Sequence, residues 1–115
     1  MNDIIKIENL KRVFKSGDAE IVAVNDLTFS VPEGQFMAIT GKSGSGKSTL
    51  LYQLGLLDHP TSGNITIAGI PVEKLNSDER TKFRLNFLGY VFQDYAVLPS
   101  LTAEENVMVP LLMQG

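Results

Sequence analysis

Between residues 41 and 49 the chain reads Gly-Lys-Ser-Gly-Ser-Gly-Lys-Ser-Thr, and no other stretch restricts its possible folds so severely. Gly41, Gly46, Lys47 and Ser48 satisfy the pattern G-x-x-x-x-G-K-[ST], a phosphate-binding loop that needs a strand before it and a helix after it. Both flanks are present. Phe36, Met37, Ala38 and Ile39 follow the turn signal Pro32-Glu33-Gly34 and predict a strand over 35–40, apolar on both faces and therefore buried. Leu50, Leu51, Leu54 and Leu57 recur at helical spacing and predict a helix over 48–57. A flexible Gly/Ser linker would require neither flank, nor the closing Lys-Ser-Thr.

The chemistry follows from the residue types. Glycines at 41, 44 and 46 allow main-chain N–H groups to crowd around phosphate oxygens, with Ser43 and Ser45 between them. The helix that starts near Ser48 adds unpaired N–H groups and the positive end of its dipole. Lys47 is expected to reach the β- and γ-phosphates, the Ser48 hydroxyl to ligate Mg²⁺, and Thr49 to bond the α-phosphate. A nucleoside triphosphate is the ligand this set of groups predicts.

Composition narrows the partners. The 115 residues carry 43% hydrophobic and 20% charged residues, as a globular chain does, with a formal net charge of −3. The ten basic residues are scattered, so no nucleic-acid footprint is expected. The longest apolar stretch near the end, Val107–Met113, is shorter than a membrane span and contains Pro110. The first residues have no signal-peptide layout, and the absence of cysteine removes disulfides and thiolate metal sites.

Along the chain, alternating patterns predict half-buried strands over 4–8 and 22–31, with Gly17-Asp18 as a loop between them, and another strand over 64–69. Asn76 with Glu79 makes a capping box for a helix over 77–86. Gly89–Phe92 predicts a short strand ending at Gln93. Thr102 with Glu105 makes a second capping box, opening a helix from about 103 that Pro110 should interrupt or end. The expected fold class is α/β, an antiparallel sheet beside a P-loop core, with no internal boundary.

The order of these motifs carries a resemblance. Phe14 in a short loop, GKSGSGKST at 41–49, Asp58-His59-Pro60-Thr61-Ser62-Gly63, Gly89-Tyr90-Val91-Phe92-Gln93-Asp94 and Leu101-Thr102-Ala103-Glu104-Glu105-Asn106-Val107 together resemble the N-terminal half of an ABC-transporter ATP-binding subunit. The stretches FQDYAVLPSLTAEENV and LGLLDHPTSG are most similar to the macrolide-exporter and lipoprotein-releasing branch. The resemblance covers residues 1–115 and makes them one N-terminal half-domain: a P-loop NTPase core with an antiparallel β subdomain, truncated before the helical subdomain is complete. It implies ATP and Mg²⁺ as ligands. It places Phe14 where the family stacks an aromatic ring on adenine; tyrosine is usual there, and phenylalanine keeps the π-face while losing the hydroxyl. It makes Gln93 a ligand of Mg²⁺ and a sensor of the γ-phosphate. Tyr95, Leu98 and Pro99 fall on the face that receives the transmembrane permease subunit. A second copy of the ATP-binding subunit is implied as a partner, and a location on the cytoplasmic face of the membrane. His59 precedes Gln93, unlike the family's late switch histidine, and is expected to be a surface turn residue.

The family also uses an apolar strand ending in Asp, a following glutamate, an LSGGQ-type signature and that late histidine. None occurs among these 115 residues: no apolar run ends in Asp-Glu, and no Ser-Gly is followed by a second glycine. The resemblance therefore implies an ATPase in the intact subunit and a chain that binds Mg-ATP with negligible turnover on its own. The strand at 35–40, with neighbours expected from the missing half, predicts an isolated chain that is marginal, aggregation-prone or stabilised by pairing. Two alternatives share the loop. A DNA-repair or chromosome ATPase of the same superfamily usually inserts a long coiled coil before the glutamine, and a small kinase places the loop directly after its first strand. A nucleotide-binding module without catalysis is the remaining reading.

Overall fold

The computed structural model describes residues 2–114. They form two compact units, divided after Leu75. The first is organised by a long hairpin. Strand β1 (Asp3–Ser16) turns at Gly17-Asp18 into β2 (Ala19–Pro32), pairing Ser16 with Ala19, Phe14 with Ile21 and Ile7 with Phe29. The predicted strands at 4–8 and 22–31 are thus the interiors of two longer ones. Midway the ladder is irregular, because Asn9 and Asp26 both take left-handed backbone angles, φ 51° and 50°. The irregularity is pinned across the hairpin: Asn9 Nδ2 donates to Asp26 Oδ1 at 2.8 Å and Asn9 N–H to Thr28 Oγ1 at 2.9 Å.

Strand β3 (Ser62–Ile67) pairs antiparallel with the other edge of β1, and the short β4 (Ile70–Pro71) with β3, giving the order β2-β1-β3-β4. Ala68 and Gly69, expected to continue the third strand, form the turn instead, with φ of 51° and 79°. A 3₁₀ turn follows at Val72–Lys74. Period-2 alternation puts Ile7, Val31, Ile65 and Ile67 inward, and with Leu10, Val24 and Val72 they are buried. Helix α1 (Lys47–Leu54) buries Leu50 and Gln53. It ends earlier than its leucine spacing suggests: Leu56 turns to φ 58°, and Leu57 N–H bonds back to the Tyr52 carbonyl at 2.9 Å.

In the second unit, helix α2 (Ser77–Phe87) starts at the predicted capping box. Glu79 N–H donates to Asn76 Oδ1 at 2.9 Å, and Asn76 N–H to Glu79 Oε1 at 3.0 Å. Helix α3 (Ala103–Gln114) opens on the second box, with Thr102 N–H donating to Glu105 Oε1 at 2.8 Å. That donor holds the exposed Glu105 carboxyl below its ordinary range.

Three further expectations are corrected. Residues 35–40 form no strand, and Phe36 is 98% exposed. Residues 89–92 form none either, with Val91 97% exposed. A strand exists only through a neighbour's hydrogen bonds, and no described strand runs beside either segment. Pro110 does not end α3, which continues to Gln114. It lies near the exposed C-terminal end, where one missing N–H costs one helical bond. Beyond it, Gln114 Nε2 donates to the Leu85 carbonyl of α2 at 2.9 Å.

Candidate functional site

The loop Gly41–Thr49 is shaped by close backbone approach. Gly46, the residue preceding α1, has φ 97°, and a Cβ built on it would lie 2.1 Å from the Ala23 carbonyl oxygen of β2. Only glycine fits there. The loop closes through Ser45 N–H to the Lys42 carbonyl at 3.1 Å, and the first α1 bond runs from Leu50 N–H to the Gly46 carbonyl at 2.9 Å. No side chain caps the helix, so the N–H groups of its first turn remain free of helical partners. Positive potential is therefore built into the backbone at this point.

Lys47 completes the site. Its Nζ donates to the carbonyls of Gly41 at 2.5 Å and Lys42 at 2.8 Å. The ammonium is thus folded over the loop that its own residue closes. Gly41, Ser43, Gly44 and Ser45 are exposed along that loop, as is Ser48, and Thr49 is half-buried. A cavity of about 280 Å³ lies between β2 and residues 39–50, walled by Ala23, Val24, Asn25 and Leu27 on the strand side. An anion meets free N–H groups, an ammonium and a hydroxyl here, with no carboxylate among the residues lining the cavity. Among the described residues no cluster of three His, Cys, Asp or Glu side chains exists to hold a metal.

Phe14 is also in the first unit, near the tip of the hairpin, with 39% of its surface exposed. The structure adds a residue that sequence reasoning missed. Arg12 places its guanidinium carbon 4.2 Å from the Phe14 ring centroid, and it pairs with Asp58 at 2.7 Å. Burial raises the Asp58 carboxyl, but the Arg12 hydrogen bond, a backbone bond from His59 and the two positive charges outweigh it, leaving the group below its ordinary 3.8. The signal available was positional: residues i and i+2 of a strand share a face. His59 is exposed, as expected.

Gln93, Tyr95, Leu98 and Pro99 belong to the second unit and are all exposed. The loop that carries them is held by Asn106 of α3, another residue given no role from sequence. Its Oδ1 accepts from Leu98 N–H at 2.7 Å, and its Nδ2 donates to the carbonyls of Thr102 at 2.8 Å and Leu98 at 3.2 Å. No helix among the described residues is long and apolar enough to cross a membrane.

Comparison with known proteins gives this geometry a family. A family model described as ABC transporter matches residues 24–114. The macrolide export ATP-binding/permease protein MacB of Photorhabdus laumondii is 41% identical over 115 residues, all of this chain and 18% of MacB. An ABC transporter ATP-binding protein of Methanocaldococcus jannaschii, MJ0796, is 42% identical over 96% of this chain and 47% of its own length. The chain thus spans less than half of the curated relatives it matches. A solved dimeric structure of the MJ0796 ATP-binding cassette in a post-hydrolysis state, bound to ADP and Pi, superposes with a TM-score of 0.93, covering 96% of this chain and 48% of that one. The fold matches that of about half of an ABC ATP-binding cassette, as a P-loop NTPase fragment.

Proposed function

The chain belongs to the ABC transporter family, and from that premise we propose that it binds Mg-ATP on the loop Gly41–Thr49 within a nucleotide-binding subunit that couples ATP hydrolysis to export or lipoprotein release. The observation that carries the reading is Lys47, whose ammonium lies over a glycine loop at the uncapped start of α1.

The roles follow the groups present. The N–H groups of Gly44 and of residues 46–49 cradle the phosphates, and Lys47 neutralises charge on the β- and γ-phosphates as a compact, mobile cation. Ser48 and Gln93 would hold Mg²⁺, which would supply neutralisation of phosphate charge. Phe14 stacks on adenine. Tyr95, Leu98 and Pro99, on the loop fixed by Asn106, meet a permease subunit, which keeps the chain at the cytoplasmic face of the membrane. A second copy is the other partner; the matched MJ0796 cassette structure is described as dimeric. Nothing in the 115 residues activates the attacking water, so this chain alone binds without appreciable turnover.

The test is Mg-ATP binding and phosphate release by the chain beside Lys47→Ala. Binding that the variant loses, with no phosphate released by either, supports the reading. Equal binding in both removes the loop from the mechanism, and turnover that the variant loses shows that the chain is catalytic alone.

A further inference from the structure

Arg12 connects two parts of the first unit that the proposed function uses separately. On one side it contacts the Phe14 ring at 4.2 Å. On the other it is held by a fork: Nε donates to Asp58 Oδ2 at 2.7 Å and Nη2 to Asp58 Oδ1 at 3.3 Å. Nη1 adds a bond to the Val13 carbonyl at 3.2 Å. The guanidinium plane is thereby fixed on three sides, with the arginine side chain 23% exposed. Asp58 is itself anchored, because Gln53 Nε2 donates to its Oδ2 at 2.9 Å. Gln53 is fully buried on α1, the helix whose first residues are Lys47 and Ser48. A continuous path of contacts runs from the Phe14 ring through Arg12, Asp58 and Gln53 into the helix of the phosphate-binding loop.

We propose that Arg12 is a positioning residue for the nucleobase, backing one face of Phe14 so that the other receives the base, and tying that ring to α1. The inference rests on the reading that the base of the bound nucleotide stacks on Phe14. An exposed phenylalanine at a hairpin tip has several rotamers, and ordering it on binding would cost affinity. A guanidinium stacked on its rear face removes that freedom before the ligand arrives. Arginine suits the task because its planar head both stacks and forks; lysine offers a point charge without the plane.

The experiment is calorimetric titration of the full chain with Mg-ATP and, separately, with Mg-tripolyphosphate, which has no base. Arg12→Ala is expected to weaken Mg-ATP about three- to tenfold and to leave Mg-tripolyphosphate unchanged. Phe14→Ala should show the same pattern, and the double variant should lose no more than Phe14→Ala alone. Should Arg12→Ala not fold, Arg12→Lys decides, since it keeps a cation for Asp58: a smaller loss confined to Mg-ATP supports the proposal, and unchanged Mg-ATP binding overturns it. Equal weakening of both ligands by Arg12→Ala makes the residue merely structural and overturns the proposal. So does full additivity with Phe14→Ala, or an Arg12→Ala variant that binds Mg-ATP normally while Phe14→Ala does not. If Phe14→Ala itself binds Mg-ATP normally while Lys47→Ala does not, the stacking reading has failed, and this proposal with it.

Discussion

Replacing Gly46 by alanine separates backbone crowding from simple glycine flexibility as the source of the loop's shape. Gly46 holds φ at +97°, and an added Cβ would lie 2.1 Å from the Ala23 carbonyl oxygen. A left-handed backbone costs an L residue about 1–2 kcal/mol. The overlap is additional: β2 and the loop must part by about 1.3 Å or more to restore ordinary contact, and overpacking of that kind costs about 1–3 kcal/mol. The two together come to about 2–5 kcal/mol, a large share of a typical domain's stability of about 5–15 kcal/mol. Gly44 is the control. Its φ is +82°, but a Cβ there would meet nothing within 4 Å, so Gly44→Ala carries only the backbone cost of about 1–2 kcal/mol. Urea unfolding followed by circular dichroism reads both differences. Gly46→Ala should be less stable than Gly44→Ala by about 1 kcal/mol or more, and it should lose tripolyphosphate binding because Lys47 adjoins the displaced residue. Equal stabilities would refute the reasoning, since they would mean that β2 does not constrain the loop.

Other perturbations test separate parts of the account. The Asp58 carboxyl lies below its ordinary 3.8, so its contribution to stability is present above that pH and is lost as pH falls below it. Melting curves of the parent and Asp58→Asn should therefore differ by a constant amount near neutrality and converge below about pH 3.8; a gap that persists in acid would contradict the ion-pair account. Asn76→Ala removes an observed cap and should destabilise the chain by about 1 kcal/mol in urea unfolding, with no change excluding a capping role. Phe36 is 98% exposed, so Phe36→Ser should alter stability by no more than about 0.5 kcal/mol, whereas a loss of about 3 kcal/mol would restore the buried strand expected from sequence.

What could be read from sequence was what local chemistry decides. The capping boxes at Asn76/Glu79 and Thr102/Glu105 formed as written, because each closes within four residues. The hairpin was legible because Gly17-Asp18 supplies the turn and the flanking residues alternate. The phosphate-binding loop announced itself by composition, since Gly46 has room for no other residue. The segments at 35–40 and 89–92 were misread for the opposite reason. Their apolar composition indicates burial, but a strand needs a partner's ladder, and that information lies in other parts of a chain. Arg12 and Asn106 escaped notice because each acts over distance: Arg12 on Asp58, 46 residues away, and Asn106 on Leu98, eight residues back. Nothing in an isolated arginine or asparagine marks such a role.

On the proposed function, the loop Gly41–Thr49 binds the phosphates of a nucleotide through its backbone N–H groups and Lys47. The most direct measurement is the change in backbone amide chemical shifts of the isotope-labelled chain on titration with Mg-ATP. The largest saturable changes should fall at residues 44–49 and be absent in Lys47→Ala. Changes spread elsewhere with 44–49 silent, or identical changes in Lys47→Ala, would contradict it.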